Sequence, residues 1–347
     1  MSVQSVLGPV ERDALGIATP HEHIFINLSA FYTERKLNGI PDATTEPVRM
    51  MHLGILNRDP YALKDNLIID NFEMQKREIL RFKAAGGKTI FDATTKGIDR
   101  NPKRLQRMAK ETGLNIIAGA GFYVAATHSD EIKAMPVEEI AKIIIAELRE
   151  GLDGTDIRAG YIGEIGISDT MQPSERKILQ AAAMAQLETG VALLIHINPW
   201  SESGREASDI VLGMGVKPEK VGICHIDVED REDYVMSLLE KGVYVEFDNF
   251  GKEYYVRREV RNSGYGLFVR DTERVEFMKK LIARGYLNRI LLSCDVCLKT
   301  TLVEYGGWGY AHLLENVVPM MEDAGITREQ IDTMLVTNPA DFYDVIA

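Results

Sequence analysis

Short apolar, β-branched runs alternate with longer amphipathic stretches along the whole chain, and this alternation limits the fold more than any other feature. The runs fall at 89–92, 115–118, 159–165, 191–196, 220–225, 243–247 and 289–294, and the segment around His21 adds an eighth. The stretches between them, 71–85, 101–112, 137–150, 174–189, 228–241 and 272–284, carry apolar residues at helical spacing. Gly86 and Gly87, Gly113, Gly190, Gly242 and Gly285 stand where those helices should stop. Eight strand and helix units predict an α/β architecture, a (β/α)8 TIM barrel forming one domain over 1–347, in preference to a doubly wound open sheet. The long piece 27–80 reads as an insertion after the first strand that ends in a helix and covers the site.

The ends of the runs favour the barrel. Glu164 ends Gly160-Tyr-Ile-Gly-Glu164, His196 ends Val191-Ala-Leu-Leu-Ile-His196, His225 ends Val221-Gly-Ile-Cys-His225, and Asp295 ends Ile290-Leu-Leu-Ser-Cys-Asp295. His21 and His23, two apart, would point to one face of an extended strand. In a barrel the carboxyl ends of all strands share one face, so residues closing strands one, four, five, six and eight converge there. In an open sheet they could not all meet. Imidazole and carboxylate are the ligands that zinc prefers, and four nitrogens with two carboxylates suit a pair of divalent ions, with manganese and cobalt sharing these ligands. One histidine at the end of a strand is more often structural; six such residues in this order reverse that balance. Glu22, pointed away from the two histidines by the same alternation, reads as a helix cap or a surface charge.

Composition narrows the function. A formal charge of −12 argues against nucleic acid or an anionic membrane as the main partner and points to a small-molecule substrate. No run approaches the roughly 18 apolar residues of a membrane span, and no N-terminal stretch resembles a signal peptide, so a soluble, cytoplasmic protein is expected. Three cysteines cannot build a disulfide framework. Cys294-Asp-Val-Cys297 has a redox spacing but straddles Asp295, and Ala85-Gly-Gly-Lys-Thr89 lacks the first glycine of a phosphate loop because Phe82 occupies that position.

Thr19-Pro-His-Glu-His23, Gly119-Ala-Gly-Phe-Tyr123, Ile162-Gly-Glu-Ile-Gly166, the His196 and His225 runs and Cys294-Asp295, taken in order, resemble the phosphotriesterase family of the amidohydrolase superfamily. Gly121-Phe-Tyr-Val-Ala-Ala-Thr-His128, Ser174-Glu-Arg-Lys-Ile-Leu-Gln180 and Tyr305-Gly-Gly-Trp-Gly-Tyr-Ala-His312 resemble its phosphotriesterase-related branch. The resemblance implies two metals, usually zinc, with a hydroxide between them. It places His21, His23 and Asp295 on the more buried ion and His196 and His225 on the more exposed one, with a strand-four residue bridging both. That bridge is a carboxylated lysine in most of the family and Glu164 here. It also implies that a homodimer through the barrel exterior is reasonable.

Charge counting agrees with hydrolysis. Two divalent ions against Glu164, Asp295 and one hydroxide leave about one positive charge to attract a carbonyl or phosphoryl oxygen. Asp295 is the expected proton acceptor. Tyr123 and His128 after strand three, Lys252 after strand seven and Tyr305 after strand eight are the candidate substrate contacts, with Lys252 or His128 available for an anionic tail. The first expectation is cleavage of an ester-type bond in a carboxylic ester, lactone or organophosphate. An N-acyl amide of the acetyltaurine kind is the close alternative. A TatD-type metal-dependent nuclease and a non-catalytic ligand-binding barrel rank lower, the first because of the net charge, the length and the insertion, the second because no ligand is missing.

Overall fold

The computed structural model describes residues 2–32, 34, 42–255 and 266–344. Eight parallel strands form one sheet: β3 (Ala18–Glu22), β6 (Thr89–Asp92), β7 (Asn115–Ala120), β8 (Tyr161–Ile167), β9 (Leu193–Ile197), β10 (Val221–Ile223), β11 (Tyr244–Phe247) and β12 (Ile290–Leu292). Each pairs with its neighbour in chain order, as a singly wound barrel requires. All eight are buried along their length apart from Asn115 at the start of β7, which is why they read as continuous apolar runs more than as alternating ones.

The barrel closes between β3 and β12 by a different device from the ladders elsewhere. The Asp295 N–H donates to the His21 carbonyl at 3.2 Å, and the Ser293 hydroxyl accepts from the His21 N–H at 3.0 Å. The Glu22 carboxylate accepts from the Cys294 N–H at 3.0 Å and the Val296 N–H at 2.9 Å, with the Ser293 hydroxyl 2.9 Å away. Glu22 is therefore fully buried, and its reading as a cap or surface charge is corrected. Pointing away from the histidines means pointing into the seam with β12, because a barrel strand has no solvent face. Burial first of all pushes its carboxyl up, to about 7, against the pull of those donors.

Helices follow the strands, among them Phe72–Ala84, Pro102–Thr112, Val137–Arg149, Pro173–Thr189, Glu232–Leu239 and Asp271–Ala283. Asn71 and Asn101 cap the first two, accepting from the Met74 and Arg104 N–H groups. Gly113 and Gly190 close theirs at φ 70° and 73°. The helix at Gly204–Gly213 was not expected, since a glycine at each end and a short length weaken its signal. Nor was the antiparallel hairpin of β1 (Ser2–Ser5) and β2 (Gly8–Glu11), whose four-residue strands are short and, Pro9 apart, carry one apolar side chain each, Val3 and Val10.

Inside the barrel the amino end is apolar. Phe91, Tyr161, Leu194 and Leu291 pack there with Phe342 and Tyr343 of the helix Asn338–Tyr343, and the Tyr343 ring stacks on Phe91 at 3.8 Å. The segment after β3 pairs β4 (Ile26–Asn27) with β5 (Ile68–Ile69) and builds a small cluster of Ala43, Val48, Leu56, Ala62 and Leu63. Its Leu28, Phe31, Pro60 and Tyr61 face a cavity at the carboxyl end. Among the described residues no helix is long and apolar enough to cross a membrane.

Candidate metal centre

All six residues at the strand ends meet at the carboxyl end of the barrel, and each is at most 9% exposed. His23 Nε2 lies 3.2 Å from Asp295 Oδ1 and 3.5 Å from Glu164 Oε1. His21 Nε2 lies 3.4 Å from Glu164 Oε2 and 3.9 Å from Asp295 Oδ1. On the other side His196 Nδ1 lies 2.8 Å from Glu164 Oε2 and 2.8 Å from His225 Nε2. Glu164 thus stands between two histidine pairs, with one oxygen toward His23 and the other toward His196.

Local backbone aims these side chains. The β8 and β9 register shifts between Ile162 and Ile165, a bulge that turns Glu164 inward. Gly163 sits at φ 135°, where a Cβ would come within 2.6 Å of the Leu194 carbonyl oxygen, so glycine is required before Glu164. His225 and Asp295 adopt φ 58° and 46°, left-handed conformations just past the ends of β10 and β12. Such strain, about 1–3 kcal/mol each, is held by the surrounding packing and is concentrated where side chains must be aimed.

The partner of each ring decides which of its nitrogens carries the proton. The Thr94 hydroxyl donates to the Phe25 carbonyl at 3.2 Å and so accepts from His23 Nδ1 at 2.9 Å, leaving Nε2 as a bare lone pair. Asp248 Oδ1 takes His225 Nδ1 at 2.9 Å, and Glu246 Oε2 takes His21 Nδ1 at 3.2 Å. His21 Nε2 is then a buried nitrogen with no hydrogen-bond partner. An orphaned lone pair at the focus of three imidazoles and two carboxylates is the arrangement a divalent cation satisfies, and the donor set fits.

Charges inside this shell are strongly coupled. Burial alone would raise Glu164, but His196 and His21 hold its carboxyl well below the usual range. Burial likewise opposes Asp295, whose carboxyl is nevertheless depressed by Lys252, His23 and His21. The Lys252 ammonium is buried against Asp295 Oδ2, leaving Oδ1 toward His21 and His23. Against desolvation, Asp248 raises His225 to about 10.

Above the six lies a cavity of about 190 Å³. Tyr123 and Lys252 line it, and the Tyr123 hydroxyl is 3.4 Å from His196 Nε2. His128 and Tyr305 are not among its lining residues. The His128 ring lies behind the wall, with Nε2 donating to the Tyr123 carbonyl at 2.7 Å and Nδ1 2.9 Å from the Ser174 hydroxyl. Tyr305 packs against the insertion, with the Lys299 ammonium 5.9 Å from its ring centroid. Phe31, Tyr61, Trp200, Tyr254 and Phe268 form an aromatic wall that the sequence did not single out, because no local pattern marks which loop aromatic faces a cavity. Glu246 and Asp248 were also missed. Their signal is two carboxylates at strand alternation in an otherwise apolar run, Tyr244-Val-Glu-Phe-Asp248.

A parallel barrel with buried histidines and carboxylates at the carboxyl ends of its strands defines the class, a barrel whose side chains could hold a metal at the face where barrel enzymes carry their active sites. The sequence matches the Phosphotriesterase family over residues 1–343, and the chain belongs to that family. The N-acetyltaurine hydrolase of Danio rerio is 39% identical over 343 residues, covering 97% of this chain and 96% of that protein. Among solved structures, a resiniferatoxin-binding protein from Rhodobacter sphaeroides superposes with a TM-score of 0.94 at 32% identity, covering 99% of this chain and 95% of that one. The phosphotriesterase homology protein from Escherichia coli, complexed with phosphate in its active site, superposes with a TM-score of 0.79 at 27% identity over 96% of this chain and all of that one.

Proposed function

We propose that this chain is a binuclear hydrolase of small N-acyl amides with an acidic leaving group. The observation that carries the binuclear reading is the position of Glu164 between the two histidine pairs, with Oε1 toward His23 and Oε2 between His21 at 3.4 Å and His196 at 2.8 Å. His21, His23 and Asp295 would hold one ion and His196 and His225 the other, with zinc favoured by the donor set. Bound there, the ions supply Lewis-acid polarisation of the scissile carbonyl and a nucleophilic oxygen from water.

The protein's own residues do the rest. Asp295 takes the proton of the attacking water and passes it to the leaving nitrogen as the C–N bond breaks and the new C–O bond forms. Lys252 is the one Lys or Arg among the described residues lining the cavity, and its ammonium can be shared between Asp295 Oδ2 and an anionic tail. The volume of about 190 Å³ is somewhat more than a cavity that takes benzene, roughly 150 Å³, and so suits a molecule of acetylated amino-acid size. What moves the reading from the ester bond expected first to the amide is the set of relatives named N-acetyltaurine hydrolase, 36–39% identical over nearly the whole chain. Ester or lactone cleavage is the second reading, supported by the aromatic wall of Phe31, Tyr61, Trp200, Tyr254 and Phe268, which suits an apolar leaving group.

The test is turnover of zinc-loaded protein on N-acetyltaurine, N-acetyl amino acids, lactones, aryl esters and a phosphotriester, with Asp295→Asn as the blank. Amide turnover above the rest is expected. Lactone or ester turnover with amides untouched would reject the amide in favour of the second reading.

A further inference from the structure

β11 contributes no donor to the six, yet it and the residue that follows it carry two buried carboxylates two residues apart, Glu246 and Asp248. Each backs one histidine: Asp248 Oδ1 takes His225 Nδ1 at 2.9 Å, and Glu246 Oε2 takes His21 Nδ1 at 3.2 Å. His21 and His225 belong to the two different histidine pairs, whereas the remaining rings are backed by neutral hydroxyls, His23 by Thr94 and His196 by Tyr123. Each half of the centre therefore has one imidazole with an anionic partner and one with a neutral partner.

Glu246 is costly where it stands. It is fully buried, its Oε1 has no hydrogen-bond partner, and desolvation dominates its environment. An unsatisfied buried carboxylate oxygen destabilises the fold, so its place is not explained by stability. Around it lie Cys224, Asp248 and His21, and its Oε2 is the carboxylate oxygen nearest His21 Nδ1, at 3.2 Å against 3.6 Å for Asp248 Oδ2.

We infer that Glu246 is a positioning residue for the metal centre, fixing the His21 ring with its proton on Nδ1 so that the bare Nε2 faces the ion shared with His23 and Asp295. A carboxylate on the far nitrogen of a ligating imidazole fixes its tautomer and raises its basicity, and its loss typically costs about 10- to 100-fold in metal affinity. The inference rests on the binuclear reading above and assigns β11 the task of tuning a centre it does not ligate.

The test compares wild-type protein with Glu246→Met, which keeps the volume and removes the acceptor, and Glu246→Gln, which keeps an acceptor oxygen without the charge. Metal-free protein is titrated with zinc against a chelator, the cobalt-loaded form is read by its visible absorption, and the melting temperature of the metal-free form is recorded. Glu246→Met should weaken one of two zinc ions by about 10- to 100-fold and alter the cobalt spectrum, with the metal-free melting temperature unchanged or raised. Glu246→Gln should recover affinity to within about fivefold of wild type. Unchanged affinity for both ions in Glu246→Met would overturn the inference, as would a third ion lost only in that variant, which would make Glu246 a ligand. Wild-type protein that takes up no zinc would reject the binuclear reading itself.

Discussion

The two ends of the barrel are built from the same strands and differ in kind. β8 gives Tyr161 to the amino end and Glu164 to the carboxyl end; β9 gives Leu194 and His196; β12 gives Leu291 and then Asp295. The amino end is stacked rings and aliphatic side chains sealed by Tyr343. The carboxyl end is equally buried but consists of ionisable groups whose lone pairs face one another, including two imidazole nitrogens 2.8 Å apart. Apart from the buried, unpartnered Tyr161 hydroxyl, the first arrangement is satisfied by itself, because dispersion and water exclusion need no added partner. The second is satisfied only with a cation or a proton between its groups. Stability and chemistry are thereby assigned to opposite ends of one core.

Substitutions at each end should separate the two. Asp295→Asn should lower turnover by about two to four orders of magnitude while the melting temperature stays near wild type, as measured by steady-state kinetics beside thermal denaturation. A comparable loss of stability would mean that the carboxyl end also carries the fold. Tyr343→Ala should do the reverse, costing about 3–5 kcal/mol in denaturant unfolding while the remaining folded protein turns over normally, since it removes the ring stacked on Phe91. At the seam where β3 and β12 close the barrel, Glu22→Ala should cost about 1–3 kcal/mol by leaving the Cys294 and Val296 N–H groups unpaired. Equal stability there would show that β3 and β12 close without it. The smallest effect is expected at the exterior of the amino end, where Arg12→Ala breaks a partly exposed pair with Asp341 and should change stability by less than about 1 kcal/mol.

The sequence disclosed these ends unequally. The strands around His196, His225 and Asp295 were legible because an apolar run closing on a polar ligand type is a local pattern, and five such runs, carrying six ligand-type residues, constrained one another. The aromatic seal was not legible, since Phe91, Tyr161 and Tyr343 lie far apart in the chain and look like any other core residues. Glu22 was misread for the same reason. Its partners come from the opposite end of the sequence, and alternation tells only that it faces away from His21 and His23. Lys252 was read as a candidate contact for substrate; its burial against Asp295 is a tertiary fact with no local mark.

The most direct test of the account is the zinc stoichiometry of purified protein, with and without bicarbonate during reloading, for wild type and Glu164→Ala. The account predicts two ions per wild-type chain, reloading at a rate indifferent to bicarbonate because Glu164 is itself the bridging carboxylate, and loss of at least one ion in Glu164→Ala. A bicarbonate requirement, or two ions retained without Glu164, would contradict it.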